Sequence, residues 1–149
     1  MIQSAYVDTS AFIKRFIVEP GSGDIETLIA SNQYRLTLSS LSLTEIRSVL
    51  KRQTRLGVIS AAHANKAVEQ TSIELASNAL AFQAVDAAIF NLAGDMIESL
   101  AAPLGTLDAV HLASAKAAQC SVMISADRQL VKAASEAGLS VVDLSSQPA

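Results

Sequence analysis

Short apolar runs alternate along this chain with longer stretches of helical periodicity. The opening run Ser4, Ala5, Tyr6, Val7 predicts a strand that ends just before Asp8. A mixed run at 11–18 predicts a first helix or helical turn, closed by the breaker pair Pro20 and Gly21. Residues 24–31 read as a second helix, and 34–38 as a second strand running into Ser39 and Ser40. From residue 41 or 42 to 56, Leu43, Ile46, Leu50 and the stem of Gln53 share one helical face, with Gly57 as the C-terminal stop. An Ala-rich helical stretch covers 60–79, a third short strand 81–85, and another helix 86–100. Pro103 and Gly105 break the pattern before a helix starts near Thr106. The last third reads most plainly: strand 121–125, helix 127–137 stopped by Gly138, strand 139–144, and a frayed tail at 145–149.

Strands separated by helices of this length predict an α/β fold, a parallel sheet with helices on both faces. At 149 residues the whole chain, 1–149, is expected to form one domain. Half the residues are apolar, but they are spread between charges, and no run approaches the roughly 20 residues of a membrane span. Lys14 and Arg15 interrupt the early stretch where a signal peptide would lie. The expectation is a cytoplasmic protein without a membrane partner. The single Cys120 has no second thiol to pair with or to share a zinc ion, so it reads as a small buried apolar residue.

Four acids stand at comparable places: Asp8, Glu45, Asp108 and Asp127 each follow an apolar run or open a helix. A parallel sheet gathers its ligands at the carboxyl ends of its strands, so these positions are candidates for one site. Each acid alone has a bland explanation. Asp127 precedes Arg128, Gln129 and Leu130 and is placed to cap their helix, and Asp108 would favour the positive end of its own. Glu45 lies beside Val49 at the edge of the apolar stripe, with Arg52 two turns on, so a Glu45–Arg52 contact stays open. Carboxylates crowded together repel unless a hard cation neutralises them, and oxygen ligands without a Cys and His cluster favour Mg²⁺ or Mn²⁺ over zinc. Such a site activates water against a phosphodiester. The net charge of -3 neither supports nor excludes a polyanionic substrate, because it includes these four acids.

The segments Val7-Asp8-Thr9-Ser10-Ala11, Leu43-Thr44-Glu45-Ile46, Thr106 to Ala113 and Ile124 to Leu130 together resemble the PIN-domain family, most of all its VapC toxins. Order, spacing and length agree over nearly the whole chain. The resemblance implies a parallel sheet of four or five strands and a Mg²⁺- or Mn²⁺-dependent endoribonuclease using one or two ions. It implies Asp8 and Asp108 as principal metal ligands and Glu45 and Asp127 as direct or water-mediated ones. Ser10 and Ser125 match positions where a hydroxyl stands near the metal. RNA substrate, a small cognate antitoxin and a homodimer follow from the same likeness, with no small-molecule cofactor.

His111, one turn after Asp108, reads first as a histidine packed on the sheet or bonding a backbone carbonyl, with an Asp–His metal pair as the alternative. His63 has no visible partner, and nothing in the sequence brings the two histidines together for acid–base catalysis. Arg47, Lys51 and Arg55 form an outward stripe, while Lys14, Arg15 and Arg128 fall nearer the expected cleft. The few aromatic residues read as core. Two other functions fit the acids less well. A haloacid dehalogenase-like phosphohydrolase would use Asp8 as nucleophile, but Ser10 stands where its second Asp belongs. A non-catalytic PIN-like module binding RNA or protein would have no use for all four acids.

Overall fold

The computed structural model describes residues 2–145, so all of the expected tail except Ser145 lies outside the described residues. Strands β1 (Gln3–Val7), β2 (Tyr34–Ser39), β3 (Ala81–Gln83), β4 (Val122–Ser125) and β5 (Ser140–Asp143) form one sheet in the order β3-β2-β1-β4-β5. Every pairing is parallel. The chain steps outward from β1 to β3, then returns to lay β4 on the other side of β1. That reversal opens a crevice beyond the carboxyl ends of β1 and β4, the usual place for a ligand in an open parallel sheet.

The helices are α1 (Thr9–Phe12), α2 (Ser22–Ala30), α3 (Ser40–Arg55), α4 (Ala61–Ala76), α5 (Ala87–Ser99), α6 (Thr106–Ala117) and α7 (Arg128–Glu136), with a 3-10 turn at Ile13–Arg15. Side-chain alternation along β1 divides the core between the two faces of the sheet. Ala5 and Val7 pack with Phe12, Ile25, Ile46, Leu50 and Ala67 under α1 to α4. Tyr6 and Met123 pack on the opposite face with Ile89, Ala93, Leu112 and Leu130 under α5 to α7. This is the expected two-faced α/β arrangement, with five strands.

The departures from the sequence pattern have local causes. The run expected as a helix at 11–18 begins earlier, at Thr9, because Asp8 caps it through a 3.1 Å bond from the Ala11 amide, and it tightens into the 3-10 turn after one turn. Helix α3 starts at Ser40, before the expected residue 41 or 42, because Ser39 and Ser42 form a reciprocal capping box. Strand β3 stops at Gln83, since the Val85 amide bonds Ser40 Oγ at 3.0 Å instead of extending the sheet. Gly57 and Gly138 both adopt positive φ, 75° and 94°, directly after α3 and α7, as their placement predicts. Cys120 is buried. Two aromatic residues expected in the core are instead outside: Phe82 on the edge strand is 51% exposed, and Phe90, next to the inward Ile89 on α5, is 58% exposed. No helix among the described residues is long and apolar enough to cross a membrane.

Candidate active site

Asp8, Glu45, Asp108 and Asp127, drawn from four separate parts of the chain, line one cleft of about 470 Å³ at the carboxyl end of the sheet. Asp8 follows β1 directly, and its amide bonds the Ile124 carbonyl of β4 at 3.1 Å, which places it at the crevice. Asp108 stands in the first turn of α6, and Asp127 is the N-cap of α7. Glu45 reaches in from α3. Thr9, Ser10, Ile13, Lys14, Val49 and Arg52 complete much of the wall. The four acids share the cleft without forming a ready-made ligand set: no three His, Cys, Asp or Glu side chains among the described residues stand gathered as one.

Asp8 is 3% exposed and held by an unusual density of donors. Oδ1 accepts from Ser10 Oγ at 2.8 Å and from the Ala11 amide at 3.1 Å. Oδ2 accepts from Ser10 Oγ at 2.9 Å and from Ser125 Oγ at 2.8 Å. Ser10 and Ser125 in turn accept from the amides of Ala126 and Asp127, at 3.0 and 2.9 Å, tying the loop after β4 to Asp8. Burial pushes the Asp8 carboxyl above its ordinary range, against the charge of His111 and these hydrogen bonds, which pull it down.

Asp127 does cap its helix: Oδ1 accepts from the amides of Gln129 and Leu130 at 2.9 and 3.2 Å. The cap role and the cleft role coexist, because a cap occupies one oxygen and leaves the carboxyl group at the strand end. The Asp108 carboxyl is pushed up to about 6, first by burial, then by the neighbouring Asp127 and Asp8, with His111 opposing. The acids of the cleft thus crowd one another enough to disfavour their charged forms.

His111 is the residue that sequence reasoning undervalued. It is 3% exposed and packs on the sheet against Tyr6, one of the two placements expected, but its bonds go to side chains and not to a backbone carbonyl. Nε2 lies 2.6 Å from Glu45 Oε1, and Nδ1 lies 2.7 Å from the Tyr6 hydroxyl. Thr9 Oγ1 donates to the same Oε1 at 2.7 Å. Burial alone would raise the Glu45 carboxyl, but the bonds from His111 and Thr9 and the His111 charge outweigh it and hold it below its ordinary value. Glu45 is therefore an acceptor, and Nε2 of His111 carries the proton between them. Arg52 lines the cleft but is not the partner of Glu45. Tyr6 fills core as expected, yet a buried phenol needs a partner, and that need was the one available signal for its link to His111.

The other cations sort by geometry. Lys14 lines the cleft but is tied to Glu19 Oε1 at 3.0 Å and to the Pro20 carbonyl at 2.6 Å. Arg15 turns away to Glu74, and Arg128 lines a different hollow with Lys132 and Asp143. His63 bonds the Phe16 carbonyl at 2.6 Å and lines a separate hollow with Val18 and Val58, so the two histidines do not converge.

A family model described as the PIN domain matches residues 5–136. No curated protein matches the sequence. Among solved structures, the chain is similar to Mycobacterium tuberculosis VapC20, a sarcin-ricin loop cleaving toxin, at 18% identity and TM-score 0.67, over 87% of this chain and 94% of that one. It is similar to FitAcB from Neisseria gonorrhoeae at 14% identity and TM-score 0.64, over 96% and 99%. It is also similar to VapBC2 from Rickettsia felis bound to a DNA fragment from their promoter, at 12% identity and TM-score 0.60, over 94% and 98%. At such identities the structural likeness establishes a shared fold, and the family model covers most of the chain. The protein belongs to the PIN domain family.

Proposed function

We propose that this chain is a Mg²⁺- or Mn²⁺-dependent endoribonuclease of the VapC type, held in check by a small cognate antitoxin. The observation that carries this reading is the meeting of Asp8, Glu45, Asp108 and Asp127 on one cleft, with Asp108 raised by its acidic neighbours. Likeness to a sarcin-ricin loop cleaving toxin supports RNA as the substrate class. Likeness to VapBC2 supports an antitoxin partner. A homodimer belongs to the same proposal, and exposed Phe90, Ile97 and Leu107 on α5 and α6 offer it an apolar surface.

The residues fit a hard dication by their chemistry: the cleft supplies carboxylate oxygens and no thiol, and its one histidine is committed to Glu45 and Tyr6. Asp8 and Asp108 would be the principal ligands, with Glu45 and Asp127 binding directly or through water. A bound ion of this kind supplies charge neutralisation for the phosphodiester and lowers the pKa of water. The protein's own share is orientation. Ser10 and Ser125 fix both oxygens of Asp8. Asp108 surrenders its proton as pH rises through about 6, so it adds its negative charge to the cleft near neutrality. Arg52, exposed on the cleft wall, pairs with a substrate phosphate.

The test is cleavage of single-stranded RNA with Mg²⁺, Mn²⁺ or a chelator, with both new ends mapped. Metal-dependent cuts leaving 5′-phosphates are expected, and Asp8→Asn or Asp108→Asn should abolish them while preserving the fold. Cleavage that survives chelation or leaves 2′,3′-cyclic phosphates would overturn the reading. So would hydrolysis of small phosphoesters without RNA cleavage, the phosphohydrolase outcome. Ser10, standing where that mechanism needs a second Asp, weighs against that outcome.

A further inference from the structure

His111 sits in α6 between the buried Val110 and Leu112, where a polar ring is costly unless both nitrogens find partners. Both do, and the two partners belong to different elements. Nδ1 lies 2.7 Å from the hydroxyl of Tyr6 on β1, and that hydroxyl donates its proton to Ser39 Oγ, the N-cap of α3, at 2.8 Å. Nε2 meets Glu45, carried by the same α3. The imidazole is further fixed by an edge-to-face contact with the Tyr6 ring, centroids 5.7 Å apart.

Glu45 needs such support. A glutamate on a helix flank loses side-chain freedom when it is held in one geometry. Here both protein bonds fall on Oε1, from His111 and Thr9, and among the described residues no hydrogen bond reaches Oε2. We infer that His111, backed by Tyr6, is a positioning residue that pins Oε1 of Glu45 and so leaves Oε2 presented to a divalent cation in the cleft. This inference rests on the nuclease reading above. A merely structural histidine would need only its burial to be satisfied, whereas a positioning one depends on the N–H at Nε2.

Two amides separate these roles. The side-chain nitrogen of Gln reaches about as far as Nε2 of His, while that of Asn reaches only as far as Nδ1. Mn²⁺ binding followed by electron paramagnetic resonance should weaken about 10- to 100-fold in His111→Asn, the usual effect of losing the group that orients a ligand. The kcat for RNA cleavage should fall with it, while KM for RNA holds within about twofold. His111→Gln should recover Mn²⁺ binding to within about threefold of the unsubstituted chain. Equal behaviour of the two variants, whether both intact or both impaired, would overturn the inference and leave the nuclease reading standing. An unsubstituted chain that neither binds Mn²⁺ nor cleaves RNA would overturn both. Should His111→Asn fail to fold, the unsubstituted chain decides the matter: the His111 Nε2 nitrogen resonance is expected to move as Mg²⁺ binds. An unmoved resonance during Mg²⁺ binding would sink the idea.

Discussion

Ser125 Oγ donates a 2.8 Å hydrogen bond to Oδ2 of Asp8 across 117 positions of sequence, and the same hydroxyl accepts from the Asp127 amide. One fully buried serine thus joins two of the four acids. Ser125→Ala should lower stability by about 1–2 kcal/mol, the cost of leaving buried polar partners short of a bond. Urea denaturation at pH 7 measures it. RNA cleavage should fall as well, and an unchanged midpoint with unchanged activity would show that the hydroxyl orients nothing.

Asp108 supplies a pH dependence whose sign is determined. Its folded-state pKa is raised from 3.8 to about 6, so the folded chain binds this proton more tightly than the unfolded chain. The stability it contributes is fully present below about pH 3.8 and is lost as pH rises through about 6. Metal-free protein should therefore lose stability across that window through this group, and Asp108→Asn should remove that part of the loss. Added Mn²⁺ should raise the melting temperature above pH 6 and do progressively less below it, because protons compete for the same carboxyl. Calorimetric scans from pH 4 to 8, with and without Mn²⁺, read both effects. A Mn²⁺ shift that grows on acidification contradicts the account.

Arg52 and Arg47 are both exposed residues of α3, but only Arg52 lines the cleft. Arg52→Ala should raise KM for RNA and reduce the dependence of log affinity on log salt by about one, the signature of one lost phosphate contact. Arg47→Ala should change neither. Binding measured between low and moderate salt separates them, and identical behaviour would return the whole basic face to simple solvation.

Arg15 and Glu74 form a clamp away from the cleft. Two nitrogen–oxygen bonds of 3.0 and 2.9 Å join them, and the guanidinium lies 5.0 and 5.2 Å from the rings of Phe12 and Phe16. The Arg15 side chain is 8% exposed and its Nε has no hydrogen-bond partner among the described residues, so removing Glu74 strands a buried cation. Glu74→Ala should cost about 3 kcal/mol, at the lower end of values for breaking a buried pair because Glu74 is partly solvated. Guanidinium denaturation checks this, and Mn²⁺ affinity should be unaffected. Weakened Mn²⁺ binding would mean that the clamp also shapes the site.

Much of this molecule was legible before folding because its signals are local. Strand β1 shows itself in four successive residues, α3 in a repeating apolar face, and the ends of α3 and α7 in glycines whose positive φ the turn demands. The four acids were legible by order and spacing, since a parallel sheet brings strand ends together. The boundary errors at Thr9, Ser40 and Gln83 came from side chains that bond backbone amides several or many residues away, which no periodicity registers.

Residue order and local pattern were enough, then, for the α/β class, the order of elements and four acids that the fold brings to one cleft. Tertiary structure alone decided their partners. That His111 bonds Glu45, that Arg15 leaves the cleft for Glu74, and that Ser125 holds Asp8 are contacts over 66, 59 and 117 positions. Periodicity reports which face a residue occupies; a hydrogen bond also requires distance and direction, and those arise only when the sheet brings separate elements together.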